Sequence, residues 1–170
     1  MGVRWDRIFE NEKRQFEKMT AQEKFAYFLL LQYGSPYGWG KENPESSDCS
    51  GAVCMALYAA TGLLIRTTAD DLYNRVFTVT NPGTALIRAA FFIADKGTAV
   101  HVAGLVNDGI ILNSQEPGAQ IRQLEDIARW FTRQGCTLVV RGLDPAALRR
   151  LAGEGKTVSG LDGEWGRYFE

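Results

Sequence analysis

Three cysteines and one histidine are the side chains of this 170-residue sequence best suited to nucleophilic chemistry. Cys49 lies in Ser47-Asp48-Cys49-Ser50-Gly51, where a loop rich in Gly, Pro, Asn and Ser gives way to an apolar helical run. A thiol of ordinary pKa near ~8.5 becomes a usable nucleophile when free amides and the positive end of a helix dipole stabilise its thiolate. Gly51 would cost a helix interior roughly 1 kcal/mol relative to alanine. It suits a place where backbone must approach another group closely, such as a substrate carbonyl. The competing reading makes Cys49 a small buried residue, a common state for cysteine. That plainer reading fits Cys54, about 140° around the same helix among Val53, Met55 and Leu57. It also fits Cys136, which follows Gly135 just ahead of a strand.

His101 sits in TAVHVAGLV, a strand-like run with no other ionisable side chain. An imidazole there must find partners or stay near solvent. It is either a core-edge residue satisfied by backbone or the general base and acid for Cys49. A pair of that kind needs a third polar group to hold the ring in one tautomer. With the following turn centred on Asn107, His101 stands opposite Asn113 on one sheet face. With a loop of only Asp108-Gly109, it stands opposite Glu116, and Ser114 falls on its face. Spacing leaves both registers open, although Glu116, ahead of Pro117-Gly118, reads better as outgoing loop.

Composition narrows the alternatives. A chain of this length can bury a substantial core as one domain. Its 45% apolar and 23% charged residues are ordinary for a globular protein. A formal charge of -1 provides no global field for nucleic acid or acidic lipid. One histidine excludes a metal site built on two or three imidazoles, so no metal or other cofactor is expected. Cysteines this few and unevenly spaced make no disulfide framework, and there is no Cys-x-x-Cys pair. One disulfide beside a free thiol stays open. Gly34, Gly38 and Gly40 lack the Gly-Lys-Ser/Thr of a phosphate loop. Asp70 and Asp71 form no recognisable glycosidase pair.

The elements that must position Cys49 and His101 follow from periodicity and punctuation. Residues 6–32 read as helical with a break near Met19-Thr20, where Thr20 and Glu23 have capping-box spacing. Gly34 and Pro36 end that run. A helix from about Cys49 to Ala60 takes Asp48 or a preceding serine as its cap and stops at Gly62. A short helix capped by Thr67 or Thr68 comes next. Strands are expected over 89–94, 99–106, 110–114 and 137–141, with helices over 124–131 and within DPAALRRLAGEG. The last residues, GKTVSGLDGEWGRYFE, read as an irregular tail. Helices first and a mostly antiparallel sheet afterwards is an α+β layout.

Taken together, YGSPYGWGKENPESSDCSG (33–51) and HVAGLVNDGIILNS (101–114) resemble the NlpC/P60 family of papain-like cell-wall peptidases. The first block is similar to the family's Gly-x-Pro-Tyr-x-Trp-Gly pattern followed by Asp-Cys-Ser-Gly at the catalytic helix. The second is similar to its histidine strand and hairpin. The resemblance implies Cys49 as nucleophile, His101 as base and Asn113 as the third polar group, and so favours the turn centred on Asn107. It implies that Tyr37 lines the site and that Asp48 and Ser50 contact the free amino end of a peptide. Arg66 matches a family arginine and reads as structural. Trp39 is either a wall of the substrate groove or an aromatic packed under the loop. The sequence departs from the family at NPGTALIRAAFFIAD, where threonine replaces the aspartate of a Pro-Gly-Asp-Leu-x-Phe-Phe strand, and this leaves that strand's register open.

The fold implied is N-terminal helices packed on a mostly antiparallel sheet. Residues 1–19 would form an extension, 20–142 the catalytic domain, and 143–170 a short helix and tail. The activity implied is hydrolysis of an amide in a peptidoglycan stem peptide, after γ-linked D-glutamate and before diaminopimelate or lysine. A muramoyl-L-alanine amidase or an acyltransferase would use the same site, and a phage tail or wall-binding structural protein is the non-enzyme alternative. The N-terminus lacks the apolar core of a signal peptide, and no apolar run could span a bilayer. The expectation is a monomer made in the cytoplasm and delivered by another route, with a bacteriophage virion or a wall-associated protein as partner.

Overall fold

The computed structural model describes residues 5–38, 42–43 and 46–154. Trp39 and the glycine-rich tail lie outside that range. The Thr20 hydroxyl accepts the Glu23 amide at 3.2 Å, and the Glu23 carboxylate accepts the Thr20 amide at 3.1 Å. This reciprocal cap separates α1 (Trp5–Lys18) from α2 (Ala21–Leu31). Phe25 and Leu29 of α2 are fully buried. The Gln32 side chain donates to the Ala52 carbonyl at 3.0 Å and ties α2 to α3 (Cys49–Thr61). Gly62, at φ 73°, ends α3 in the left-handed conformation. Helix α4 (Ala69–Asp71) takes Thr68 as its cap and runs into a π-helical turn, Leu72–Val76.

A two-residue ladder, β1 (Glu42–Asn43) with β2 (Ser46–Ser47), precedes α3. The main sheet comprises β3 (Arg88–Ile93), β4 (Ala99–Leu105), β5 (Ile110–Gln115), β6 (Gly118–Gln123) and β7 (Thr137–Gly142). Its order is β6-β5-β4-β3-β7, and every strand pairing is antiparallel. The expected α+β layout is therefore the observed one. Helix α5 (Leu124–Arg133) joins β6 to β7, and α6 (Pro145–Gly153) follows β7.

Both faces of the sheet are covered, which is why β3 continues after Arg88 as an unbroken apolar run, AAFFI. Ala89, Phe91 and Val102 pack with α2, α3 and α6. Ala90, Phe92, Ala103, Leu105 and Ile111 pack with Ile127 and Phe131 of α5. At Gly104 an added Cβ would come within 2.6 Å of Leu29 Cδ1, so glycine lets α2 cross β4 closely. No described helix is long and apolar enough to cross a membrane.

Two features of β4 and β5 differ from expectation. The pairs Gly104–Leu112 and Leu105–Ile111 centre the turn on Asp108. Neither proposed register is the real one. The difference from the Asn107-centred register is two residues, and a period of two keeps Asn113 on the same face as His101. The turn takes this position because Asn107 Oδ1 accepts the amides of Gly109 and Ile110, both at 3.0 Å. Second, Phe92 pairs with His101 while Ile93 pairs with Ala99, making Val100 a bulge residue. Strand β6 was absent from the expected elements. Its GAQIRQ pattern buries only Ala119 and gives little apolar alternation to read.

Candidate active site

Helix α3 delivers Cys49 through its cap. Asp48 Oδ1 accepts the Gly51 amide at 2.7 Å and the Ser50 hydroxyl at 3.1 Å. Arg66 donates to Asp48 Oδ2 at 2.8 Å, to Ser50 Oγ at 3.0 Å and to the Thr67 carbonyl at 2.9 Å. All three side chains are buried. Arg66 thus neutralises the capping carboxylate and fixes the first turn of α3.

Cys49 is partly exposed, whereas Cys54 and Cys136 are buried, and none of the three is in a disulfide. Burial pushes the Cys49 thiol up to about 11. The amides of Val102 and Ser50 donate to the sulfur and oppose that rise, as does Arg66, while Asp48 reinforces it. The Val102 amide belongs to the peptide that begins at His101. The sulfur therefore lies against β4 at the histidine itself.

The bulge at Val100 decides where the imidazole points. Ala99 and Val102 both face the α3 side, and His101 is turned to the α5 side with Ala103 and Leu105. There the ring stacks on Phe131 at 4.8 Å between centroids and lies 5.7 Å from Phe92. Its Nε2 is 2.7 Å from Asn113 Oδ1, and Asn113 Nδ2 donates to Gln115 Oε1 at 3.1 Å. With the amide oriented by Gln115, Asn113 offers an oxygen, so Nε2 carries the proton and Nδ1 keeps the lone pair. Burial holds the imidazole below its ordinary pKa, against the opposing influence of Asn113 and Asp48. The resting ring is neutral and able to accept a proton.

Tyr37 is placed by main-chain contacts. Its amide donates to the Pro117 carbonyl at 3.1 Å. The preceding Ser35 carbonyl lies 2.6 Å from where a Cβ on Gly118 would stand. Only glycine allows that approach. Burial raises the pKa of the Tyr37 phenol, followed by the charges of Cys49, Asp48 and Glu116. The hydroxyl is near all three and stays protonated at neutral pH. Ser114, the alternative from the other register, faces away from His101 and donates to the Ser47 carbonyl at 3.0 Å.

A cavity of about 460 Å³ opens at Cys49, lined also by Asp48, Ser50, Arg66, Asp70 and Val100. Among the described residues no group of three or more His, Cys, Asp or Glu is gathered as a metal site would require. The sequence did not reveal Gln115 or Phe131 as supports for the site. Gln115 had one available signal, its position two residues after Asn113 on the same strand face.

The NlpC/P60 family model matches residues 34–137, from the loop before Tyr37 to the start of β7. The chain belongs to the NlpC/P60 family. It is 29% identical over 125 residues to the murein DD-endopeptidase MepH of Escherichia coli K12, a match covering 71% of this chain and 46% of MepH. The chain thus spans about half the length of that curated relative. Among solved structures, it is similar to the peptidoglycan hydrolase RipB of Mycobacterium tuberculosis, with a TM-score of 0.54 and 21% identity, covering 73% of this chain and 65% of RipB. The P60 domain of antigen MAP1204 from M. avium subspecies paratuberculosis gives a TM-score of 0.55 at 19% identity, covering 73% and 96%. A Staphylococcus aureus NLP/P60-family lipoprotein-like protein gives 0.57 at 20% identity, covering 72% and 41%. These structures share the NlpC/P60 fold with this member.

Proposed function

We propose that this protein is a cysteine endopeptidase that hydrolyses an amide bond in peptidoglycan stem peptides through Cys49, His101 and Asn113. The observation that carries this reading is the imidazole itself. Nε2 is committed to Asn113, and the remaining nitrogen belongs to a ring whose own strand presents the next amide to the Cys49 sulfur. His101 Nδ1 takes the thiol proton as the sulfur attacks the scissile carbonyl. The Cys49 amide, at the helix N-terminus, and the Tyr37 hydroxyl stabilise the oxyanion. The imidazolium gives its proton to the leaving amine as the C–N bond breaks. A thioester remains, and His101 activates water to release it as a carboxylate and restore the thiol.

On the acyl side, Asp48 and Ser50 line the cavity at Cys49 and suit a free ammonium. Arg66 already balances the Asp48 charge, so the contact is a shared hydrogen-bonded network rather than a bare ion pair. The resemblance to the family favours cleavage between γ-D-glutamate and the third stem residue. The name of MepH favours a second reading, a bond between two D-configured centres in a cross-link.

Digestion of defined muropeptides, read by mass spectrometry, separates these outcomes. Cleavage after D-glutamate supports the first bond and cleavage at the D,D cross-link the second. Release of intact stem peptide from glycan would instead make the protein an amidase. The C49A variant is expected to lose activity by at least roughly four orders of magnitude, as nucleophile removal does elsewhere. Wild-type activity surviving in C49A would overturn the mechanism.

A further inference from the structure

A second cavity, of about 420 Å³, lies between the β5–β6 hairpin and α5. It shares no lining residue with the cavity at Cys49, but one of its walls is Asn113, the partner of His101. Gln115, Arg122, Trp130 and Arg133 line it further. Arg129, also at its rim, is engaged by Glu125 and by Asp126 at 3.5 Å. Arg122 and Arg133 are exposed and form no ion pair with a described residue. Arg122 makes only a 3.3 Å contact to Gln120. The one other acidic residue lining the cavity is Glu116, in the turn between β5 and β6. Two uncommitted guanidiniums against one exposed carboxylate leave a site suited to an anion, with Trp130 as an apolar wall.

The reaction gives this cavity a direction. In an acyl transfer the leaving amine must reach the imidazole that protonates it, so the leaving half of the substrate extends past the histidine flank. The cavity bordered by Asn113 is on that flank, and the one containing Cys49 and Asp48 is on the acyl flank. We infer that the cavity between β5–β6 and α5 binds the amine-bearing half of the substrate, with Arg122 and Arg133 holding a free carboxylate on it. This rests on the endopeptidase reading and adds a substrate class to it. Diaminopimelate carries a second carboxylate that lysine lacks, and it supplies the leaving amine in either bond considered above. Guanidinium groups pair with carboxylates in a forked, charge-assisted geometry that an amide does not reproduce.

The test uses R122Q/R133Q in the full chain, with R149Q as a control for removal of an exposed arginine elsewhere. Peptides are compared with free diaminopimelate, with its side-chain carboxylate amidated, and with lysine in its place. Wild type and R149Q are expected to favour the free carboxylate by at least about tenfold in kcat/KM, mainly through KM. In R122Q/R133Q that preference disappears, through loss of activity on the free-carboxylate peptide. A wild-type enzyme indifferent to the carboxylate, or a double variant that keeps the preference, would overturn the inference and leave the endopeptidase reading standing. Absence of Cys49-dependent cleavage of any muropeptide would overturn the endopeptidase reading instead. Calorimetric titration of C49A with meso-diaminopimelyl-D-alanine reads the cavity without turnover. Binding weakened at least about tenfold by the two Arg substitutions supports the inference, and equal binding refutes it.

Discussion

At Cys49 two influences oppose one another. Removal from water favours the neutral thiol, while the Val102 and Ser50 amides and Arg66 favour the thiolate, and the thiol ends near 11. His101 moves the other way, since burial lowers its pKa below the ordinary histidine value. In the resting state the thiol and the imidazole are therefore both neutral, and in the proposed mechanism the proton moves only as substrate is attacked. Labelling of Cys49 by iodoacetamide should rise with pH toward a midpoint near 11, and C49A should abolish it because Cys54 and Cys136 are buried. Labelling that stayed fast and flat into acid would reveal a preformed thiolate–imidazolium pair and refute this assignment. The same shifts give kcat/KM an acid limb below pH ~6.5. His101 must be neutral to act as base, and its folded pKa is depressed, so activity is present above that pKa and lost as pH falls through it. Stability has the same sign. Below the unfolded histidine pKa the unfolded chain takes up the proton first, and folding weakens as acid is added.

Among the elements, what the sequence revealed depended on whether the information was local. The cap of α2 was legible as Thr20 with Glu23, and the start of α3 as Asp48 after a polar loop, because these signals lie within four residues of the groups they satisfy. The β4–β5 hairpin was legible as two apolar runs around Asn107-Asp108-Gly109, but its register was set by the Asn107 side chain capping two amides. Strand β6 was hidden because it ends the sheet with mostly exposed side chains, so no apolar alternation marks it. Helix α5 was expected, but not that Phe131 would stack on His101, a contact thirty residues along the sequence. Gly104 was not singled out, although it sets how closely α2 approaches β4. Gly104→Ala should destabilise the fold by about 1–3 kcal/mol through overpacking against Leu29 and Phe25. In denaturant unfolding, G104A/L29A should cost less than the two single losses added together, since the shortened side chain removes the collision. Strict additivity would show that the backbone, not Leu29, takes up the strain.

For the molecule as a whole, both faces of one sheet are buried, and α2, α3, α5 and α6 supply the covering layers. Among the described side chains, helix α1 contributes none to these layers. Of its described side chains only Phe16 is partly covered, 5.7 Å from Tyr27 and beneath Lys24. The boundary proposed at residue 19 predicts that removing residues 1–19 leaves the catalytic unit intact. Muropeptide hydrolysis should stay within about twofold, and the thermal midpoint should fall by no more than a few degrees, in line with the loss of about 1 kcal/mol or less. A collapse of the midpoint would assign α1 to the fold instead. Charge offers no comparable handle, because a net of -1 leaves attraction of the proposed substrate to local groups such as Arg122 and Arg133.

The extra residue at Val100 makes the chemistry depend on arithmetic as well as on letters. Straighten β4 at Val100 without changing its length, and every side chain of the proposed site is still present in the same order. Ala99 and His101 would then share a face, however, and the imidazole would trade the aromatic shelf of Phe131 for the packed layer beneath α3. Two chains with identical motifs could thus differ in which side of the sheet holds the ring. To tell them apart, one would compare the pairing of β4 as carefully as the motifs themselves.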